Sequence, residues 1–258
     1  MRLWLNSAVG PVWTRLLQPN IVWAIVLSSK KPLSLLEIEM KQPATFVFDA
    51  YGTLFDVHSA AARHADAIGD KWQLLSEIWR TKQLEYTWVR ALAGQHCSFW
   101  RVTEEGLDYA IAAVGGIDAA LRSKLLAAYR ELAAYPEVPA CLEALKARGA
   151  AVSILSNGDP DMLADAVRLA GLTEVIDAVL SVEAVGIFKP SHRVYELATA
   201  QFGLSAGEIS FQSSNRWDIA GAKSFGFHTV WINRIGRPDE YPDLAADEVL
   251  KDLNGLLI

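Results

Sequence analysis

A repeated order most limits what this chain can fold into: a short apolar run, a helical segment, then glycine. Apolar runs with the composition of buried parallel strands fall at Ala44 to Asp49, Ala151 to Asn157, Ala178 to Val182, Ile209 to Asn215 and Thr229 to Asn233. Between most of them lie helical segments of crossover length. Pro139 to Arg148 ends at Gly149, Asp161 to Ala170 at Gly171, Arg193 to Phe202 at Gly203, and Trp217 to Phe225 at Gly226, where a helix C-terminus commonly needs glycine. Strand, helix and glycine in this order predict an α/β fold, a doubly wound parallel sheet of Rossmann-like kind.

One stretch departs from the alternation. Between Val57 and Tyr135 no run reads as a strand. Helical patterns fill it, over Ala60 to Ile68, Gln73 to Leu92, Glu104 to Val114 and Ala119 to Leu132. The expected organisation is a core made of residues 41–56 and 136–258, with residues 57–135 inserted as a helical cap domain. Residues 1–40 match neither part. They are apolar but interrupted by Pro11, Pro19 and Pro32, and their longest apolar run, Ile21 to Leu27, is far short of the ~20 residues of a membrane helix. No A-x-A cleavage site follows it. A second methionine, Met40, stands just before the first strand, so the folded domain is expected to start there, with 1–40 as an extension.

Composition narrows the class of partner. A formal net charge of -6 over 258 residues argues against nucleic acid and against an anionic membrane surface. The two cysteines, Cys97 and Cys141, have no CxxC or metal-ligand spacing, and read as reduced core thiols of a cytoplasmic protein. The five histidines form no HxxxH pattern, so no metal site of that kind is expected.

The polar residues gather where a doubly wound sheet binds ligands, beyond the carboxyl ends of its strands. The first strand, Phe46-Val47-Phe48, stops on Asp49; the second ends in Ser156 and Asn157. Lys189 lies in the loop after the third, and the fourth ends in Ser213, Ser214 and Asn215 with Asp218 one turn later. An acid directly ending an apolar strand is costly to desolvate and points to chemistry rather than to a turn. In the inserted segment Arg80, Leu84 and Trp88 recur at i, i+4 and i+8, one face of a helix. An arginine on such a stripe needs an anion; Glu77 is the candidate inside the chain, and a bound anion the alternative.

At these residues the chain resembles the haloacid dehalogenase superfamily and, more narrowly, the L-2-haloacid dehalogenases. The blocks FDAYGTLFDVHS, WRTKQLEYTW, ILSNG, FKPSHRVYEL and SSNRWDIAGAKSFGFHTVWINR match that pattern in order and spacing, from Ala44 to about Asn233. Phosphatases of the superfamily carry a second acid two residues after the nucleophile, where this chain has Tyr51. They carry another in a G-D-x-x-x-D loop, where it has Ser214 and keeps only Asp218. Two acids expected of a Mg²⁺ site are therefore replaced, and the resemblance implies no cofactor.

It implies Asp49 as the nucleophile on C2 of a small 2-halocarboxylate, forming an aspartyl ester that water hydrolyses, with inverted 2-hydroxy acid and halide as products. Lys189 would keep Asp49 ionised and be held by Asp218, which also fits a role in orienting or activating water. Arg80, Asn157 and Trp217 would cradle the halide. Ser156 and the amides around Ala50 and Tyr51 would take the substrate carboxylate. Thr53, Ser213 and Asn215 would hold Asp49, Lys189 and water in place, and Tyr195 would contact Lys189 or substrate. Tyr51, Leu84, Phe99 and Trp217 would line the pocket for the alkyl group. Thr81, where the family usually has glutamine, would widen that pocket or loosen Arg80. The family likeness also implies a homodimer. The competing readings are a Mg²⁺-dependent phosphatase and a non-catalytic binding domain on the same scaffold.

Overall fold

The computed structural model describes residues 45–258. The expected extension over 1–40, and Ala44 at the start of the first expected strand, lie outside the described residues. Six parallel strands form one sheet: β1 (Thr45–Phe48), β2 (Ala151–Ser156), β3 (Ala178–Ser181), β4 (Ile209–Ser213), β5 (His228–Ile232) and β6 (Glu248–Leu250), in the order β3-β2-β1-β4-β5-β6. Phe48 stands opposite Ile154 of β2 and Gln212 of β4. The chain winds from β1 outward to β3, then returns to the other side of β1 as β4. The reversal opens a crevice between the carboxyl ends of β1 and β4, and Asp49 and Ser213 stand on its two sides.

Four helices lie among these strands: α6 (Val138–Ala147), α7 (Pro160–Leu169), α8 (His192–Phe202) and α9 (Arg216–Phe225). They end just before Gly149, Gly171, Gly203 and Gly226. All four residues of β1 are buried, as a central strand covered on both faces requires. Beneath α8 and α9 the rings of Tyr195, Phe211 and Phe227 lie 5.8 Å apart and fill the core behind the crevice.

Between β1 and α6 the chain carries helices only: α1 (Ser59–Ala62), α2 (Ala65–Ile68), α3 (Trp72–Ala93), α4 (Phe99–Ala113) and α5 (Ala119–Arg130). The crossings into and out of this segment lie side by side. Asp56 N donates to Ala133 O (2.8 Å) and Tyr135 N to Leu54 O (3.0 Å). Helix α3 packs along α4, and Gly106 permits the approach, since a β-carbon there would come within 3.2 Å of the Gln83 amide nitrogen.

Four expectations need correction. The helix read over Ala60 to Ile68 is two four-residue helices, broken where Arg63 leaves the stripe to bond the side chain and carbonyl of Glu131 and where His64 takes a non-helical backbone. Helix α4 begins at Phe99, not Glu104, because Ser98 accepts the Arg101 amide and Asp159 accepts those of Phe99 and Trp100. The edge strand β6 went unread, being three residues long and largely exposed. Cys97 is only half-buried; Cys141 is the core thiol. Among the described residues no helix is long and apolar enough to cross a membrane.

Candidate active site

Asp49 continues β1, its amide donating to Gln212 O (2.9 Å), so the sheet itself carries its carboxylate into the crevice. It is 5% exposed. Its two oxygens differ. Oδ2 accepts from Thr53 Oγ1 (3.0 Å), from Asn215 Nδ2 (2.7 Å) and, at longer range, from Ser213 Oγ (3.4 Å). Among the described residues Oδ1 accepts from Lys189 Nζ alone (3.2 Å). Lys189 is fully buried, and its ammonium also donates to Asp218 Oδ2 (2.8 Å). Asp218, in the first turn of α9 and fully buried, accepts on Oδ1 from the Tyr195 hydroxyl (2.7 Å). The Lys189 amide is fixed by Asn157 Oδ1 (2.9 Å) from the end of β2.

A buried ammonium is stable only with nearby anions. Burial alone would lower the Lys189 pKa, but Asp218 and Asp49 outweigh it and raise the pKa, so the side chain stays charged. Burial lifts Asp218 up to about 6 against the opposing pull of Lys189. The Tyr51 and Tyr195 hydroxyls are pushed well up by burial, so both remain neutral donors.

The helical segment supplies the opposite wall. Arg80 donates from Nη2 to Tyr51 O (3.0 Å) and Asn215 Oδ1 (3.2 Å), and from Nη1 to Gln83 Oε1 (2.8 Å). All three acceptors are neutral, and among the described residues no carboxylate pairs with this guanidinium; Glu77 is exposed on the same helix. A half-buried cation held by neutral oxygens is left to attract an anion from outside the chain. Trp88, two turns along α3, meets the Trp217 ring edge-on at 5.5 Å. Phe99 lies 5.3 Å from the Tyr51 ring, Tyr129 lies 5.9 Å from it, and Leu84 is half-buried one turn beyond Arg80. The Tyr51 hydroxyl and Trp217 Nε1 are buried without a hydrogen-bond partner among the described residues. The amides of Ala50 and Tyr51 donate to no backbone carbonyl there either. Ser156 Oγ accepts from the Gly158 amide (3.1 Å). Gly158 must be glycine for Tyr51 to sit as it does, because a β-carbon would stand 2.7 Å from that ring.

A family model described as a haloacid dehalogenase-like hydrolase matches residues 43–226. The chain belongs to that family. Among curated relatives, (S)-2-haloacid dehalogenase 1 of Pseudomonas sp. (strain CBS-3) is 48% identical over 211 residues, covering 81% of this chain and 93% of that protein. (S)-2-haloacid dehalogenase 4A of Burkholderia cepacia is 47% identical over 196 residues, covering 76% and 85%. Among solved structures, the L-2-haloacid dehalogenase from Xanthobacter autotrophicus with chloropropionic acid covalently bound aligns with a TM-score of 0.76 at 37% identity, over 83% of this chain and 96% of that one. At this identity and coverage the chain falls within the (S)-2-haloacid dehalogenases.

Measured against other haloacid dehalogenase-like hydrolases, the residues present do not make the Mg²⁺ cage of the phosphatases. Asp49 and Asp218 are both bonded to the Lys189 ammonium, and Tyr51 and Ser214 stand where further acids would complete a hard-cation site. Among the described residues no group of three or more His, Cys, Asp or Glu side chains is placed to hold a metal ion.

Four residues differ from the expected arrangement of a dehalogenase site. Tyr195, expected against Lys189 or substrate, is fully buried and gives its hydroxyl proton to Asp218, which in turn holds Lys189. Asp218 sits behind Lys189 with a bond on each oxygen, which suits holding the lysine and leaves it no solvent-facing side for activating water. Thr81 is exposed. Gln83 holds Arg80 instead: it is buried, donates to Thr103 Oγ1 (2.7 Å) and accepts from the Tyr129 hydroxyl (3.0 Å). Asn157, expected in the halide cradle, turns its carbonyl oxygen to the Lys189 amide.

The state of Asp218 sets a pH dependence. As pH falls through about 6, Asp218 takes up a proton and Lys189 loses its nearer counter-charge. Turnover is expected to fall on that acid limb. Tyr195→Phe removes a bond that favours the ionised carboxylate, so the limb should move to higher pH. Stability runs the other way. A carboxylate whose folded pKa lies above its unfolded value near 4 binds protons more tightly when folded, so from this group alone folding is favoured as pH drops from about 6 to about 4. A pH–rate profile checks the point, and an acid limb unmoved by Tyr195→Phe would remove Asp218 from control of it.

Proposed function

We infer that this protein hydrolyses L-2-haloalkanoic acids to D-2-hydroxy acids and halide, and that Asp49 is the nucleophile. The observation that carries the reading is the carboxylate fixed by Lys189, Thr53 and Asn215 beneath Arg80, a cation with no carboxylate partner among the described residues. Asp49 Oδ1, with a single hydrogen bond among the described residues, is the oxygen free to attack C2 from behind, while the C–X pair leaves with the halide. Oδ2 then becomes the carbonyl oxygen of the ester. Water adds to the Asp49 carbonyl carbon, and the negative charge that develops on Oδ2 meets donors already aimed at it, Thr53 Oγ1 and Asn215 Nδ2. Cleavage of the acyl–oxygen bond releases the hydroxy acid and a proton and returns a carboxylate carrying one oxygen from water. Configuration at C2 inverts once, in the first step.

Arg80, with Trp217 Nε1 and the Tyr51 hydroxyl, supplies donors for the departing halide. Ser156 and the Ala50 and Tyr51 amides supply them for the substrate carboxylate. Phe99 and Leu84 with the Tyr51 ring make the apolar wall. Residues 57–135 act as the cap over a core of 41–56 and 136–258. The protein works in the cytoplasm without a cofactor and as a homodimer, a reading supported by exposed apolar side chains on α3, Leu92 at 91% and Val89 at 57%.

Halide release from L-2-chloropropionate in EDTA, with chiral analysis of the lactate formed, tests the reading. D-Lactate and free chloride are expected. Phosphate ester hydrolysis that needs Mg²⁺ would replace it with the phosphatase, and neither product would leave a binding domain.

A further inference from the structure

The two chain crossings between Leu54 and Tyr135 join the helical segment to the sheet at one side only. Besides the Arg80 bonds to Tyr51 O and Asn215 Oδ1, it is attached to the core at the start of α4. There Asp159, two residues beyond Asn157 in the loop after β2, accepts the Phe99 amide on Oδ1 (2.7 Å) and the Trp100 amide on Oδ2 (2.8 Å). The carboxylate is 7% exposed. With Ser98 taking the Arg101 amide (3.2 Å), the first three amides of α4 are satisfied, two of them by a residue about sixty positions away in the core. Phe99, fixed in this way, packs on Tyr51 beside Tyr129.

Other contacts bridge the same end. His96 Nε2 meets Glu183 Oε1 at 2.7 Å with its ring 4.7 Å from that of Phe188, and Arg130 pairs with Asp161 at 3.0 Å. The His96–Glu183 hydrogen bond and the Arg130–Asp161 ion pair are both partly exposed and are worth little. Asp159 makes two charge-assisted bonds out of water, and such bonds are roughly twice as strong as neutral ones.

We propose that Asp159 is the latch of the cap, a positioning residue that sets the fraction of molecules in which α4 is seated on the core and, through Phe99, the affinity for substrate. The inference rests on the dehalogenase reading for its kinetic arm alone. When only a fraction of the protein is binding-competent, apparent affinity falls by that fraction, while saturating substrate restores the competent state. Loss of the latch therefore raises KM and spares kcat. A residue that only stabilised the fold would lower the active fraction, and with it kcat, at constant KM.

Asp159→Ala is expected to raise KM for L-2-chloropropionate about tenfold, with kcat within about twofold of wild type. Asp159→Asn keeps one acceptor oxygen, and should raise KM about threefold at unchanged kcat. In the absence of substrate, deuterium exchange over His96 to Thr103 should be faster in Asp159→Ala than in wild type. A drop in kcat at wild-type KM, or wild-type protection of that segment in the variant, overturns the proposal. If Asp159→Ala does not fold, Asp159→Asn carries the test, and wild-type KM there overturns it. Absence of halide release by the wild-type protein would instead remove the functional reading, while the exchange measurement still decides the latch.

Discussion

Asp49→Asn abolishes halide release, by on the order of 10⁴-fold or more, while the protein stays folded. An amide oxygen is a far poorer nucleophile than a carboxylate, and no neighbouring acid can take over: Asp218 lies behind Lys189, and position 51 is a tyrosine kept neutral by burial. The shape of the side chain is retained, and Lys189 keeps its shorter bond to Asp218, so stability should change by no more than about 2 kcal/mol. Circular dichroism and thermal melting check the fold, and chloride release checks the chemistry. A single turnover by excess wild-type enzyme in heavy-oxygen water adds a direct reading, with the label expected first in the Asp49 carboxylate and not in the hydroxy acid. Label in the hydroxy acid after that turnover, or near wild-type turnover by Asp49→Asn, would take the nucleophile role from this residue.

Lys189→Met is expected to be the most damaging single change to the fold of the site. It removes a fully buried ammonium that two buried carboxylates share, leaving Asp49 and Asp218 facing one another without a counter-charge. Breaking a buried pair from one side destabilises by about 3–5 kcal/mol. Urea unfolding should show this at neutral pH, with part of the loss recovered on acidification as Asp218 takes up a proton. Adding Asp218→Asn to Lys189→Met should return a large part of the stability, because one of the two stranded charges is gone, but should not restore activity. If the double variant is no more stable than Lys189→Met alone, the charge-sharing account of this cluster is wrong.

What was legible in the sequence follows from where its signals were local. Asp49, Ser213 and Asn215 mark strand ends by themselves, and a parallel sheet brings strand ends together whatever the details of packing; the structure puts all three within one hydrogen-bonded cluster with Thr53, Lys189 and Asp218. Arg80 was found because helical periodicity put a cation on an apolar stripe. Gln83 shares that face three residues on, and the same spacing rule could have found it. Tyr129 and Asp159 had no such signal. Tyr129 is the single aromatic on α5 and reads as ordinary core of an amphipathic helix, and Asp159 reads as an ordinary N-terminal acid before Pro160. Their places in the structure come from partners 46 and 60 residues away, through the Gln83 carbonyl and the Phe99 amide. The Asp218 partner of Tyr195 had no signal either, since the depth at which a side chain ends depends on the close approach of α8 and α9, which no spacing reports.

The side-by-side crossings at Asp56–Ala133 and Leu54–Tyr135 have an implication for how such a protein changes over time. Because the chain departs and returns at neighbouring positions, everything between them is topologically a loop, and its length leaves the register of β1 with β2 and β4 untouched. A lineage can therefore exchange or remodel that module, and with it the range of molecules admitted, while the acid–lysine–acid array below is inherited unaltered.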